Sequence, residues 1–152
     1  MGENSSGGSK LDNEITRQFI DNFLISFDNG IKYFINSGQV QSPIFYLLAS
    51  IIEKTLGLYF LKYSYLFISS LIPVIFYISL KKKFTGINKN ILFLVSLIIF
   101  LSPYFRSSTV WITTDNLALL FFLLSINSFL STRIDKKSYL KNSFLCFFFL
   151  IL

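Results

Sequence analysis

Leu61–Lys83 reads L-K-Y-S-Y-L-F-I-S-S-L-I-P-V-I-F-Y-I-S-L-K-K-K. An α-helix needs about 20 predominantly apolar residues to cross hydrocarbon, and 61–80 supplies them before three lysines close the run. Pro73 predicts a kink, tolerated in a span because neighbouring helices cover the freed carbonyl. The rest of the composition agrees. The chain has 152 residues, 53% of them apolar, with 19 Phe and only 14% charged, where soluble domains are about a quarter charged. The expected class is all-α: a polytopic integral membrane protein, with interfacial amphipathic helices in its first outer loop.

Two further spans are expected downstream, at 87–105, closed by Ser102-Pro103-Tyr104, and at 115–130. The run 142–152 opens a fourth and stops too soon to cross, so 58–152 reads as one incomplete membrane domain. Upstream, 1–10 is Gly/Ser-rich and polar, as a disordered tail would be. Between them, 11–57 should form the outer-loop helices. Ile15, Phe19, Ile20, Phe23, Leu24 and Phe27 recur at helical spacing, which predicts an amphipathic helix lying at the interface and stopped by Asp28-Asn29-Gly30. Ser42-Pro43 starts the next helix, with Ser as cap and Pro in the first turn, and Gly57 ends it. The truncated fourth span, and an outward amino terminus with no preceding span, read as a piece of a longer protein.

Lysines and arginines set the orientation. Lys81, Lys82, Lys83 and Lys89 crowd one connection, and Arg133, Lys136, Lys137 and Lys141 crowd the next but one. Ser102–Thr114 between them has only Arg106. Positive-inside logic makes the two basic loops cytoplasmic and puts Asp12, Glu14, Arg106 and Asp115 outside, with Tyr104 and Trp111 in an outer aromatic belt. The net charge of +6 is therefore an orientation signal beside apolar runs, and no nucleic-acid partner is expected. The chain contains no histidine, which removes imidazole bases and His-bound metals, and its one cysteine, Cys146, allows no internal disulfide.

Proton chemistry then falls to carboxylates, tyrosines or lysines. Asp12-Asn13-Glu14 offers two acids for a general base or a divalent cation, or else a solvated helix start. Asp115, after Thr113-Thr114 and before an apolar helix, is either a helix cap or an ionisable group with a function at the membrane boundary. Arg106 could hold phosphate through its guanidinium fork. Lys62 could bind lipid phosphate or simply extend toward water.

These features follow a set order: an outer acid pair, a helix S-P-I-F-Y-L-L-A-S-I-I-E-K-T-L-G, a span entered past Lys62, then L-S-P-Y-F-R and T-D-N-L-A-L-L-F-F. Over residues 11–130 the succession resembles the amino-terminal part of the GT-C membrane glycosyltransferases, especially the protein O-mannosyltransferase and aminoarabinose-transferase-like group. The resemblance implies a multi-pass protein of an inner membrane or its equivalent, active on the periplasmic or luminal side. It implies a polyprenyl-phosphate-linked sugar as donor and a lipid, glycan or protein acceptor. Asp12 would be the base, with Glu14 and Asp115 as further catalytic acids, and Lys62 and Arg106 would bind the donor phosphate. A divalent cation, if one is used, would fall to Asp12, Glu14 and Asp115. The competing class is a non-catalytic membrane protein, a transporter piece or an assembly subunit, in which both aspartates only start helices.

Overall fold

The computed structural model describes residues 9–39 and 42–134. The expected fourth span, the basic residues 136, 137 and 141, Cys146 and most of the polar tail lie outside them. Every described element is helical: α1 Ser9–Ile25, α2 Phe27–Asn36, α3 Ile44–Leu56, α4 Leu58–Lys83, α5 Lys89–Leu97 with a 3-10 turn Ile98–Leu101, α6 Pro103–Val110 and α7 Thr114–Ile134. Two of them, α4 and α7, are long and apolar enough to cross a membrane, or up to three if the bent pair 89–101 and 103–110 counts as one span.

The first helical segment differs from the expected one. Asp28-Asn29-Gly30 does not stop a helix; the break comes earlier, at Ser26. There the backbone is extended and the Ser26 hydroxyl accepts from the Asn29 amide at 3.1 Å, capping a new helix whose first turn holds Asp28. Both features suit a helix N-terminus, so Asp and Asn act as starters here. Gly30 is buried within α2 for another reason: a Cβ there would meet the Phe23 ring at 2.2 Å. The glycine lets α2 fold back closely on α1. At the other end, α1 begins at Ser9, two residues inside the expected tail.

The amphipathic face also has a partner that periodicity could not name. Phe19, Ile20 and Phe23 are buried with Tyr46, Ala49, Leu61, Tyr65 and Ile112. Phe19 stacks on Tyr46 at 4.6 Å and meets Tyr33 edge-on at 5.0 Å. The centre of the apolar stripe thus packs inside the protein, while Ile15 and Phe27 stay exposed. Arg17 reinforces the packing with a fork of two bonds to Glu53 on α3, at 2.5 and 2.7 Å. A bidentate guanidinium–carboxylate pair fixes orientation as well as distance.

The helix expected at 43–56 stops at Gly57 as expected but starts one residue late, at Ile44, with Pro43 and not Ser42 in the cap position. Ser42 accepts from the Ile44 amide at 3.3 Å, and Gly57, at φ 88°, receives the chain in a conformation that favours glycine. Helix α4 runs through Pro73 without interruption and extends the predicted span at both ends. The span predicted at 87–105 is instead broken. Ser102 caps a new helix by accepting from the Phe105 amide at 3.3 Å, Pro103 takes the first helical position, and the axis turns by 69°. Proline lacks the N–H needed to continue the preceding helix and suits the start of the next. Most of the expected loop 102–114 is therefore helix.

Contacts fix the relation of α4 and α7. Tyr65 meets Thr113, Ser69 meets Asn116, and Lys82 donates to Asn127 and Ser131, both at 2.6 Å. Residue numbers rise together along both helices, so the pair is parallel and shares a starting end. Ile72 of α4 packs with Phe105, Leu120 and Leu123 between them.

Gly30→Ala separates helix propensity from packing. Alanine favours a helix by about 1 kcal/mol over glycine, but overpacking a filled site costs about 1–3 kcal/mol. The expected result in a melting curve of the detergent-solubilised protein is net destabilisation. A second change, Phe23→Leu, should relieve it.

Candidate functional site

Asp12 and Asp115, from opposite ends of the described chain, line one cavity of about 190 Å³ with Thr16, Gln39, Tyr46, Tyr104, Thr113 and Thr114. Three anchors bring its walls together. Asn13, next to Asp12, donates from Nδ2 to the Ile112 carbonyl at 2.9 Å, which docks the start of α1 on the turn before α7. Tyr65 donates its hydroxyl to the Thr113 carbonyl, which holds the same turn against α4. Asn116, 3% exposed, donates to Ser69 and Thr109, both at 3.1 Å, and accepts from Ser108 at 2.8 Å. The amide therefore clamps α4, α6 and α7 immediately behind Asp115.

The two acids have different surroundings. Asp115 accepts a hydrogen bond from the Tyr104 hydroxyl at 2.7 Å, so one oxygen is fixed in place. That bond, then burial, pushes the Tyr104 hydroxyl from 10.0 up to about 12, and the charges of Asp115 and Asp12 both add to the effect. Tyr46 is raised too, chiefly by burial and then by the charge of Asp115. Both tyrosines hold their protons at neutral pH, and that of Tyr104 is engaged by Asp115. Thr113 is 1% exposed and sits against Tyr65, whose hydroxyl its carbonyl accepts. Asp115, which the sequence offered as a cap, lies inside the first turn of α7, which begins at Thr114.

A second hollow begins at the same place. Thr114 and Asp115 also line an apolar groove of about 240 Å³ that continues along Leu117, Ala118 and Phe121 of α7, opposite Ile44 and Phe45 of α3. Asp115 stands where the polar cavity meets this groove.

The other expected site residues do not join the cavity. Glu14 is exposed on α1, and Arg106 is exposed on α6. Lys62 lines a separate hollow of about 120 Å³ with Asn13, Arg17, Ile20, Leu58 and Ile112. Asp12, Glu14 and Asp115 do not form a metal-binding group, and among the described residues no three acids or cysteines do. No step below uses a metal.

Tyr46, Tyr104, Gln39, Thr16 and Thr113 were not anticipated. Tyr104 was legible only as a belt aromatic. Its role follows from the helix start at Ser102-Pro103, the same signal that Ser42-Pro43 carries. No protein-family model, curated protein or solved structure matches the chain.

The Tyr104–Asp115 bond predicts a titration. The folded value is raised above the ordinary one, so this contribution to stability is present in full below pH about 10 and is lost as pH rises through about 12. An ultraviolet absorbance titration of wild type minus Tyr104→Phe isolates this tyrosine. In the Asp115→Asn background the same difference curve should move down toward the ordinary value. An unmoved curve means that the bond does not form.

Proposed function

We propose that the chain forms the outer-face site of a membrane glycosyltransferase, one that moves a sugar from a polyprenyl-phosphate donor to an acceptor hydroxyl. The observation that carries this reading is the meeting of Asp12 and Asp115 on one cavity, at the common starting end of two helices suited to span a bilayer. In the proposed reaction the acceptor hydroxyl gives its proton to the Asp12 carboxylate. Its oxygen bonds to the anomeric carbon, and the bond from that carbon to the phosphate oxygen breaks, the electron pair leaving with the lipid phosphate. General-base assistance of this kind contributes about 10²–10⁴-fold. Asp115, held by Tyr104, would orient the sugar or acceptor hydroxyls. The groove along Leu117, Ala118 and Phe121 supports a lipid-linked donor, because an apolar chain could lie there with its head at Asp115. Lys62 and Arg106 do not line the cavity, so the reading gives the leaving phosphate no partner among these residues.

A non-catalytic membrane module has one observation in its favour. Asp12 and Asp115 each lie in the first turn of a helix, where an acid is stabilising without any chemistry. Substitution by Asn separates the two readings, because an acid that only complements the helix dipole contributes about 0.3–1 kcal/mol of stability and nothing to activity. Asp12→Asn should slow transfer from a polyprenyl-phosphate sugar by about 100-fold or more at an unchanged melting temperature. Asp115→Asn should also lose activity without losing stability. Full activity in both variants would falsify the glycosyltransferase site.

The orientation is proposed with it. With Cys146→Ser as background, single cysteines at the exposed positions Lys81 and Val110 should react with impermeant label from opposite sides, Val110 from the outside. Labelling of position 81 from the outside overturns this topology.

A further inference from the structure

We infer that the hollow between the last turns of α4 and α7 binds one anionic phospholipid, its phosphate at Lys83 and an acyl chain between the helices. The site lies at the end of the pair remote from Asp12 and Asp115, and it stands whether or not the chain transfers a sugar. The hollow measures about 330 Å³, a size that suits a small ligand. Phe76, Leu80 and Phe84 line one wall and Leu123, Ile126 and Leu130 the other, and Lys83 is the one charged residue in the described lining. Lys82 fixes the walls beside it: its ammonium donates to Asn127 and Ser131 of α7, both at 2.6 Å. The hollow is therefore formed before any ligand arrives.

The three lysines that close α4 are engaged differently. Lys82 is bonded across to α7, and the Lys81 ammonium lies 5.6 Å from the centre of the Tyr77 ring. Lys83 is exposed and forms no ion pair among the described residues. Its own helices offer none. From Leu58 to Ile134 the only acid is Asp115, which lies about 22 Å along α7 from Leu130. Beyond it Arg133, Lys136, Lys137 and Lys141 outnumber Asp135, so this end carries a surplus of positive charge. A cation at the mouth of an apolar hollow matches an anionic headgroup joined to a hydrocarbon chain, and basic pockets between spans on the cytoplasmic side hold such lipids. The apolar run 142–152 contains no acid, so it would fill the hollow without answering the charge. Charge complementarity therefore favours the lipid.

The test is native mass spectrometry of the whole chain released from neutral detergent. Phosphatidylglycerol and phosphatidylcholine with the same acyl chains are supplied in equal amounts. One phosphatidylglycerol should be retained, preferred by about fivefold or more, as one lysine near an anionic headgroup allows. Lys83→Gln should abolish the preference at an unchanged melting temperature, whereas Lys81→Gln should leave most of it. Ile126→Trp, which fills the hollow without altering charge, should also prevent retention. Glycerol 3-phosphate, a headgroup without chains, should not displace the lipid. Equal losses from Lys81→Gln and Lys83→Gln mean a diffuse basic surface and overturn the inference. Displacement by glycerol 3-phosphate overturns it in favour of a free phosphate site. Equal retention of the two lipids overturns it as well. That is the result if the run 142–152 occupies the hollow, and Ile126→Trp would then lower the melting temperature.

Discussion

The side-chain amide of Asn116 is the constraint on which the arrangement of helices depends. Its Nδ2 reaches Ser69 on α4 and Thr109 on α6, and its Oδ1 receives Ser108. In an apolar surrounding a polar group without partners is expensive, so a buried amide accepts only positions in which its bonds are made. Apolar packing alone would let α6 slide along the tops of α4 and α7. Ile72, Phe105, Leu120 and Leu123 fill the space below, but Leu and Ile specify no rotation about a helix axis. The amide does specify it, and because Asp115 precedes Asn116 in the chain, the orientation of the acid is set at the same time.

A second set of polar bonds mounts the first three helices on that frame. Asn13 bonds the Ile112 carbonyl, and Arg17, one turn further along α1, grips Glu53 on α3. The pair lies partly exposed, with Glu53 more covered than Arg17. Its value is therefore in geometry more than in net stabilisation. The apolar cluster around Phe19 and Tyr46 supplies most of the adhesion, and the ion pair selects the register in which Asp12 reaches the cavity.

Those distinctions explain what could be read in advance. The apolar runs at 61–80 and 115–130 are length and composition signals that need no partner, and they appear as α4 and α7. The face of α1 was legible as a face, but periodicity does not say what covers it, and Phe19, Ile20 and Phe23 are covered by protein. Two local signals were misread because each has two meanings. Asp28-Asn29-Gly30 can end a helix or begin one, and Ser26 decides in favour of beginning. Ser102-Pro103 closes one helix and opens another, just as Ser42-Pro43 opens α3. Asp12 and Asp115 were legible as candidates because carboxylates are rare in so apolar a chain. Tyr104, Tyr46 and Thr113 were not, because in an aromatic-rich and hydroxyl-rich sequence nothing local separates a site residue from a packing one. Lys62 and Arg106 were drawn from order along the chain, and that order does not bring them to the cavity.

The arrangement also answers how two carboxylates can share a cavity with no lysine or arginine in its lining. Asp12 lies in the first turn of α1, Tyr104 in the first turn of α6 and Asp115 in the first turn of α7. Three helix starts therefore meet at one point. Each N-terminus presents amides without partners inside their helix and a partial positive charge of about half an elementary unit. Together they supply a positive background that is built from backbone and occupies no space in the cavity. Helix start and functional acid are then not exclusive descriptions of Asp115. A cationic side chain would offset the acids equally well, but it would pair with one of them and close the site. Offsetting them with helix ends leaves Asp12 and one oxygen of Asp115 able to meet a ligand.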